Sequence, residues 1–153
     1  MKIKIILTLL ISTISYAQIS LNDMKNIIKM DFDSFETFAM NKGFSFGEIC
    51  TGGEECVNYV KGRGEQTKYI ILFTKIIDVY KKRVSYQTNS ETEYLLIKKQ
   101  MKEQGFSLLK TLPYEKKGVL FKYYKNKNYQ ITVGIGKNEL NTSTYEINIE
   151  FVE

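Results

Sequence analysis

Histidine and tryptophan are absent from the 153 residues, proline occurs once and cysteine twice. Without histidine the chain cannot form a Ser-His-Asp triad, a Cys-His pair or the common zinc centres of hydrolases. A phosphate-binding loop is also missing, because Gly62 and Gly64 lie between two predicted strands rather than before a helix. We therefore expect no catalytic residue, no cofactor and no metal site, and an enzyme is the class with the least support.

Long apolar runs are scarce, and the one that occurs lies at the start of the sequence. Lys2 and Lys4 precede an apolar stretch over 5–14, and Ser15-Tyr16-Ala17 has small residues where signal peptidase requires them. The pattern predicts a secretory signal peptide over 1–17 and a mature chain that begins at Gln18. An uncleaved anchor or a buried helix is the alternative. We expect a periplasmic or extracellular protein with no transmembrane anchor after cleavage.

Cys50 and Cys56 are separated by a five-residue, glycine-containing segment. In an oxidising compartment this spacing favours a disulfide. Free thiols or part of a metal site are the alternatives, but two thiolates supply at most half of a structural zinc centre.

Charge and composition are those of an ordinary folded domain. The full chain is 43% hydrophobic and 25% charged, with a formal net charge of +5. Removal of Lys2 and Lys4 leaves 20 basic against 17 acidic residues, or +3. This mild, mixed charge gives no reason to expect nucleic acid as a partner.

Two stretches have the pattern of amphipathic helices. The first begins after Ser20 and bends near 31–34. The second begins at Ser90, where Ser90 and Glu93 match an S-x-x-E capping box.

Both predicted helices lead into the same tripeptide, Gly43-Phe44-Ser45 and Gly105-Phe106-Ser107, at an offset of 62. The same offset, kept without a gap, aligns Ile71 with Val133 in the strands that follow. Chance similarity between β-rich stretches is the alternative. The absence of gaps favours an internal duplication.

Strands are predicted in both halves of the chain. They lie over 44–49, 56–61, 67–75 and 78–87, and over 106–111, 118–124, 129–136 and 143–152, with Pro113 in a loop. Short connections make neighbouring strands antiparallel. We therefore expect an α+β fold of two tandem helix-plus-antiparallel-sheet repeats, 18–88 and 89–153. They should form one compact unit with the helices packed on one face of the sheet.

In the order of these elements the chain resembles the duplicated fold of the bacterial β-lactamase inhibitor protein and of PepSY-like exported proteins. Stretches such as 31–37 and 41–44 are also similar to those of uncharacterised exported bacterial proteins. The resemblance covers nearly all of the mature chain and implies the fold. It carries no partner-contacting residue over to this sequence.

One face of the predicted sheet carries apolar residues that a helix layer on the other face would leave uncovered. The stretch 131–135 alternates between apolar and small or polar residues, whereas 69–73 is apolar throughout, which places Ile70 and Leu72 outward. The predicted outward set is Val60, Ile70, Leu72, Val79, Leu120 and Tyr124. Another part of the chain, a second copy or a partner protein would have to cover it.

The sequence thus predicts an exported, non-catalytic binding module, such as an inhibitor, an immunity protein or an envelope-assembly protein. Its partner, another protein or a second copy, would dock on the outward sheet face. The alternative is a polyanion or envelope-surface binder that uses basic hairpin tips. Its residues would be Lys61, Arg63, Lys68, Lys122, Lys125 and Lys127. Charged hairpins commonly serve only to keep sheet edges soluble, so this function ranks second.

Overall fold

Local capping signals set the helices of the computed structural model, which describes residues 18–50, 54–75, 81–114 and 118–152. Helix α1 spans Leu21–Ile27 after a capping box made by Ser20 and Asp23. Helix α2, Phe32–Asn41, restarts at the predicted bend, where the Asp31 carboxylate accepts from the Ser34 amide at 2.9 Å. Helix α3, Glu91–Glu103, follows Ser90. The predicted signal peptide lies outside the described residues.

Helices α2 and α3 end in the same way. Gly43 and Gly105 have φ angles of +78° and +74°, a region that glycine adopts readily. The amide of the following phenylalanine then donates to a carbonyl five residues back, Phe44 to Ala39 and Phe106 to Met101, each at 3.0 Å. This is the Schellman pattern of helix ends, in which glycine commonly takes the left-handed position.

Eight antiparallel strands of the described chain form a single sheet. Their bounds are β1 Ser45–Ile49, β2 Glu55–Lys61, β3 Lys68–Lys75, β4 Arg83–Thr88, β5 Ser107–Tyr114, β6 Val119–Lys125, β7 Tyr129–Lys137 and β8 Ser143–Phe151. The order is β1-β2-β3-β4-β8-β7-β6-β5, so two four-stranded meanders meet at β4 and β8. The predicted mixed α+β class with an antiparallel sheet is confirmed. The loop prediction for Pro113 is wrong, because it lies in β5, an edge strand that tolerates proline.

The buried core combines apolar residues of the helices with alternate residues of the strands. Leu21, Met24 and Phe35 from the helices are fully buried together with Tyr86 and Ile147 from the two central strands. We call the sheet face that contributes to this cluster the inner face, and the opposite one the outward face.

Ile70 and Leu72 lie on the inner face, so their predicted outward orientation is wrong. Both are 0% exposed and belong to the core cluster. Ile70 pairs with Tyr59 and Tyr86, just as Ile131 pairs with Tyr124 and Ile149. The matching positions in β3 and β7 are therefore 61 apart, not 62. A one-residue slip in a strand exchanges its two faces, which explains the error.

The β1–β2 hairpin brings Cys50 and Cys56 together as predicted. Their Cα atoms lie 5.2 Å apart, within the range of a disulfide. The Cys50 amide also donates to the Cys56 carbonyl at 3.1 Å. The disulfide therefore closes a loop whose two ends are already joined by a backbone hydrogen bond.

We expect reduction of this disulfide to lower the free energy of unfolding by about 2 kcal/mol or less, because closing so short a loop removes little entropy from the unfolded chain. Urea unfolding with and without reductant measures the change, and peptide mapping without reduction establishes the pairing. Two freely alkylated thiols in freshly isolated protein would contradict the bridge.

Candidate functional site on the outward face of the sheet

Cross-strand pairing arranges the outward residues in rows across the sheet. One row is Val60, Tyr69, Gln87, Glu146, Gly134, Phe121 and Leu112. The next is Asn58, Ile71, Ser85, Asn148, Thr132, Tyr123 and Lys110. Along both rows the type of residue changes from strand to strand. Apolar and aromatic residues of β3 and β6 flank polar residues of the central strands β4 and β8.

Two concavities lie on this face and share the ring of Phe121. The larger, about 440 Å³, has Tyr69 and Phe121 in its walls and Gln87 and Glu146 among its lining residues. The smaller, about 200 Å³, is lined by Arg83, Phe121 and Tyr123. The outward face therefore offers recesses with aromatic walls and a polar floor.

Gly134 and Phe121 shape the larger recess together. A Cβ atom at position 134 would lie 3.2 Å from Cε1 of Phe121, so the ring lies directly over the glycine. A Cβ atom at 134 would require the ring to give by a few tenths of an ångström. The backbone of β7 is thereby part of the wall.

Four polar atoms at the centre of the outward face are buried without a hydrogen-bond partner in the described protein. They are Oδ1 of Asn58, Nε of Arg83, Oγ of Ser85 and Oδ1 of Asn148. Ser85 pairs directly with Asn148, and Asn58 is separated from Ser85 only by Ile71. An unpaired buried polar atom costs roughly 1–3 kcal/mol, so their clustering on one face calls for a functional explanation.

Arg83 lies at one end of this polar group. Its guanidinium carbon is 4.3 Å from the centre of the Phe73 ring. Stacking on an aromatic ring restrains the planar guanidinium, and arginine is a favoured residue at interfaces.

The predicted partner set is only partly brought together. Val60 lies on the outward face, two strands from Gln87. Tyr124 packs against the core, and Leu120 lies on the same inner side because it is four residues away in the same strand. Their outward assignment is wrong, for the same reason as that of Ile70 and Leu72. Val79 lies outside the described residues.

The basic residues of the alternative function do not form one patch. The β2–β3 hairpin, with Arg63, and the β6–β7 hairpin, with Lys125 and Lys127, lie at opposite ends of the sheet. Lys122 pairs with Val133 of the core cluster and so lies on the inner side.

Two of the predicted basic residues are also engaged within the protein. The Lys61 ammonium donates to the Lys42 carbonyl at 2.7 Å. The Lys68 ammonium forms a short ion pair with Glu93.

Glu93 is the centre of a buried polar cluster at the start of α3. Its side chain is 3% exposed and accepts from Lys68, from the Tyr86 hydroxyl at 2.7 Å and from the Thr88 hydroxyl at 2.7 Å. Burial alone would raise the pKa of Glu93, but these donors outweigh it and leave the pKa below 4.5. Burial, together with the bond to Glu93, raises the pKa of the Tyr86 hydroxyl. Because Glu93 accepts from all three donors, the cluster links α3 to β3 and β4.

Sequence reasoning missed the polar centre of the outward face, although a signal was present. Strand β4 alternates Arg83, Ser85 and Gln87 with buried residues, and β8 does the same with its polar positions. A period of two with polar outward positions identifies an uncovered sheet face. The pattern cannot show that polar atoms on this face lack hydrogen-bond partners, because this depends on which residues the neighbouring strands place beside them.

The described residues contain no set of three acidic or cysteine side chains placed to hold a metal ion. No described helix has the length and apolar character needed to cross a bilayer. Protein-family models, curated proteins and solved structures were compared with the chain, and none of them matches it.

Proposed function

We propose that this protein is an exported, non-catalytic binding module that holds a partner protein on the outward face of its sheet. One observation carries the proposal, namely the cluster of four unpaired polar atoms between two aromatic flanks. These atoms are closed to solvent in the free protein, so a docked segment would supply the missing partners of Asn58, Ser85 and Asn148 by displacing the side chains that cover them. Tyrosine, phenylalanine and arginine around them are the residue types that anchor protein interfaces.

Export rests on the signal peptide predicted over 1–17. In support, Ile19 is 1% exposed, and the Leu21 amide donates to Gln100 at 2.8 Å. The folded domain therefore reaches almost to the predicted cleavage point. The intact mass of the exported protein tests this, and retention of Lys2 and Lys4 would contradict it.

Internal duplication of 18–88 and 89–153 is part of the same proposal. The mirrored strand order and the matching ends of α2 and α3 favour it. The offset is not constant, because the β2–β3 connection, 62–67, is longer than the β6–β7 connection, 126–128. Duplication would give two similar borders of aromatic and apolar residues, one on each side of the polar residues of β4 and β8.

We expect Tyr69→Ala combined with Phe121→Ala to weaken partner binding about a hundredfold or more while the protein stays folded, since truncating an aromatic anchor typically costs 2 kcal/mol or more. A photocrosslinking residue at position 123, used in the native host, identifies the partner. Titration of that purified partner then measures the affinity. Met40→Ala, an exposed residue of α2, is the matched control.

Crosslinking that is equally efficient from position 40, or unchanged affinity in the double variant, would contradict the outward site. Salt separates the alternative function, because binding of a polyanion weakens steeply as salt rises, whereas an aromatic protein interface changes little.

A further inference from the structure

An apolar groove runs along α3 on the inner side of the sheet, away from the proposed partner site. Helix α3 packs mainly against α1, β4 and β8, which leaves a recess of about 430 Å³ beside β6. Met101, Phe106 and Tyr124 form its floor, and Leu95 lies in its wall. Met101 and Phe106 are buried by the core, so the floor is fixed.

Two exposed leucines extend this apolar surface. Leu95 is 49% exposed and Leu108 is 54% exposed. Leu108 is the direct cross-strand partner of Tyr124, which places it next to the groove on the edge strand β5. Exposed leucines on both sides of an apolar recess form a continuous surface that prefers an apolar environment.

The rim of the groove is strongly basic. Lys98, Lys99 and Lys102 line it from α3, and Lys122 lies two residues before Tyr124 on the same side of β6. Lys99 pairs with Glu103 at 3.8 Å. Within the described chain, Lys98 and Lys102 have no carboxylate partner, although Lys98 lies 6.0 Å from the Tyr94 ring. The occupant of the groove must therefore combine apolar and anionic character.

We propose that this surface docks the protein on an anionic lipid bilayer. Leu95 and Leu108 would enter the boundary between head groups and acyl chains, and Lys98, Lys99 and Lys102 would contact lipid phosphates. Leucines that protrude from the surface suit insertion into a bilayer better than enclosure of a peptide. Lysines with flexible apolar stems suit diffuse phosphate charge, for which they need no fixed geometry. This inference is independent of the partner site, which lies on the opposite face of the sheet.

Vesicle flotation tests the proposal with the protein as isolated from expressing cells. It should bind vesicles of phosphatidylcholine that contain phosphatidylglycerol, and should not bind phosphatidylcholine alone. Lys98→Glu with Lys102→Glu should weaken this binding at least about thirtyfold. The control is Lys29→Glu with Lys137→Glu, two exposed lysines elsewhere whose replacement changes the net charge equally and should matter far less.

Insertion is tested separately, because the chain contains no tryptophan and a single introduced one is an unambiguous reporter. Leu95→Trp should shift to shorter emission wavelength on anionic vesicles and be quenched by brominated lipid, whereas Met40→Trp should not. Equal weakening by both lysine pairs, absence of quenching at position 95, or saturable binding of an acidic amphipathic peptide without vesicle binding would each overturn the proposal. None of these results bears on the partner affinity of the Tyr69 and Phe121 variants.

Discussion

Replacing Glu93 with alanine should lower the free energy of unfolding by about 3 kcal/mol and the Tm by about 10 °C. The substitution leaves the Lys68 ammonium and the hydroxyls of Tyr86 and Thr88 without their shared acceptor. Breaking a buried pair by removing one partner typically costs 3–5 kcal/mol. The low end applies because the Lys68 side chain is 24% exposed and can regain hydration.

Glu91→Ala is the matched control, since Glu91 is an exposed acid in the first turn of the same helix. It should cost about 1 kcal/mol or less, the contribution of an acid near a helix N-terminus. Urea unfolding of both variants makes the comparison. Equal losses would show that Glu93 acts only through its helix position and that the buried cluster contributes nothing.

Acid should abolish the contribution of Glu93. Its pKa is lower in the folded protein than the unperturbed 4.5, so the folded state favours the ionised form. The contribution is then complete above pH 4.5 and is lost as the pH falls from 4.5 through the folded pKa. The difference in unfolding free energy between the wild type and Glu93→Gln should be constant near neutrality and should shrink below pH 4.5. A difference that does not change with pH would contradict ionisation of this carboxyl group.

The sequence predicted Glu93 as a capping residue, which is half of its role. Its amide donates to Ser90 Oγ at 3.3 Å, as a capping box requires. Its carboxylate turns inward instead, and the Ser90 amide donates to Thr88 Oγ1 at 3.1 Å. Capping patterns are local and therefore visible in a sequence. The competition from Tyr86 and Lys68 arises from strands that meet α3 only in the folded chain.

The same distinction explains which parts of the fold could be predicted. Helix starts at Ser20 and Ser90, helix ends at the two glycines and the number of strands follow from local residue patterns. Strand faces do not, because they depend on register across a sheet. Equivalent residues are 65 apart between β2 and β6 (Tyr59 and Tyr124) but 61 apart between β3 and β7 (Ile70 and Ile131), so an ungapped offset of 62 shifts each pair of strands by an odd number of residues. That shift assigns the buried residues Ile70 and Leu72 to the predicted binding face. It also assigns Tyr69 and Ile71, which lie on the outward face, to the core.

Ile70→Lys combined with Leu72→Lys should unfold the protein. Both side chains are 0% exposed on the inner face among the apolar side chains of the core cluster, and the buried acid nearby, Glu93, is already paired with Lys68. Losing the burial of two such side chains costs roughly 1.5–3 kcal/mol each, and each unpaired buried charge adds several kcal/mol. The sum is comparable to the whole stability of a typical domain, about 5–15 kcal/mol. Far-ultraviolet circular dichroism and size-exclusion chromatography would report loss of the folded monomer.

Tyr69→Lys combined with Ile71→Lys is the matched control, because it places the same two charges one residue away in the same strand, on the outward face. This variant should remain folded, since both lysines can reach water, but it should lose partner binding. The single substitution Leu72→Ala gives a measurable intermediate, with an expected loss of about 2–5 kcal/mol, whereas Ile71→Ala should cost markedly less. If the outward pair unfolds the protein while the inner pair leaves it intact, the register of β3 described above is wrong. If the outward pair stays folded and binds the partner with full affinity, the register stands and the outward binding face does not.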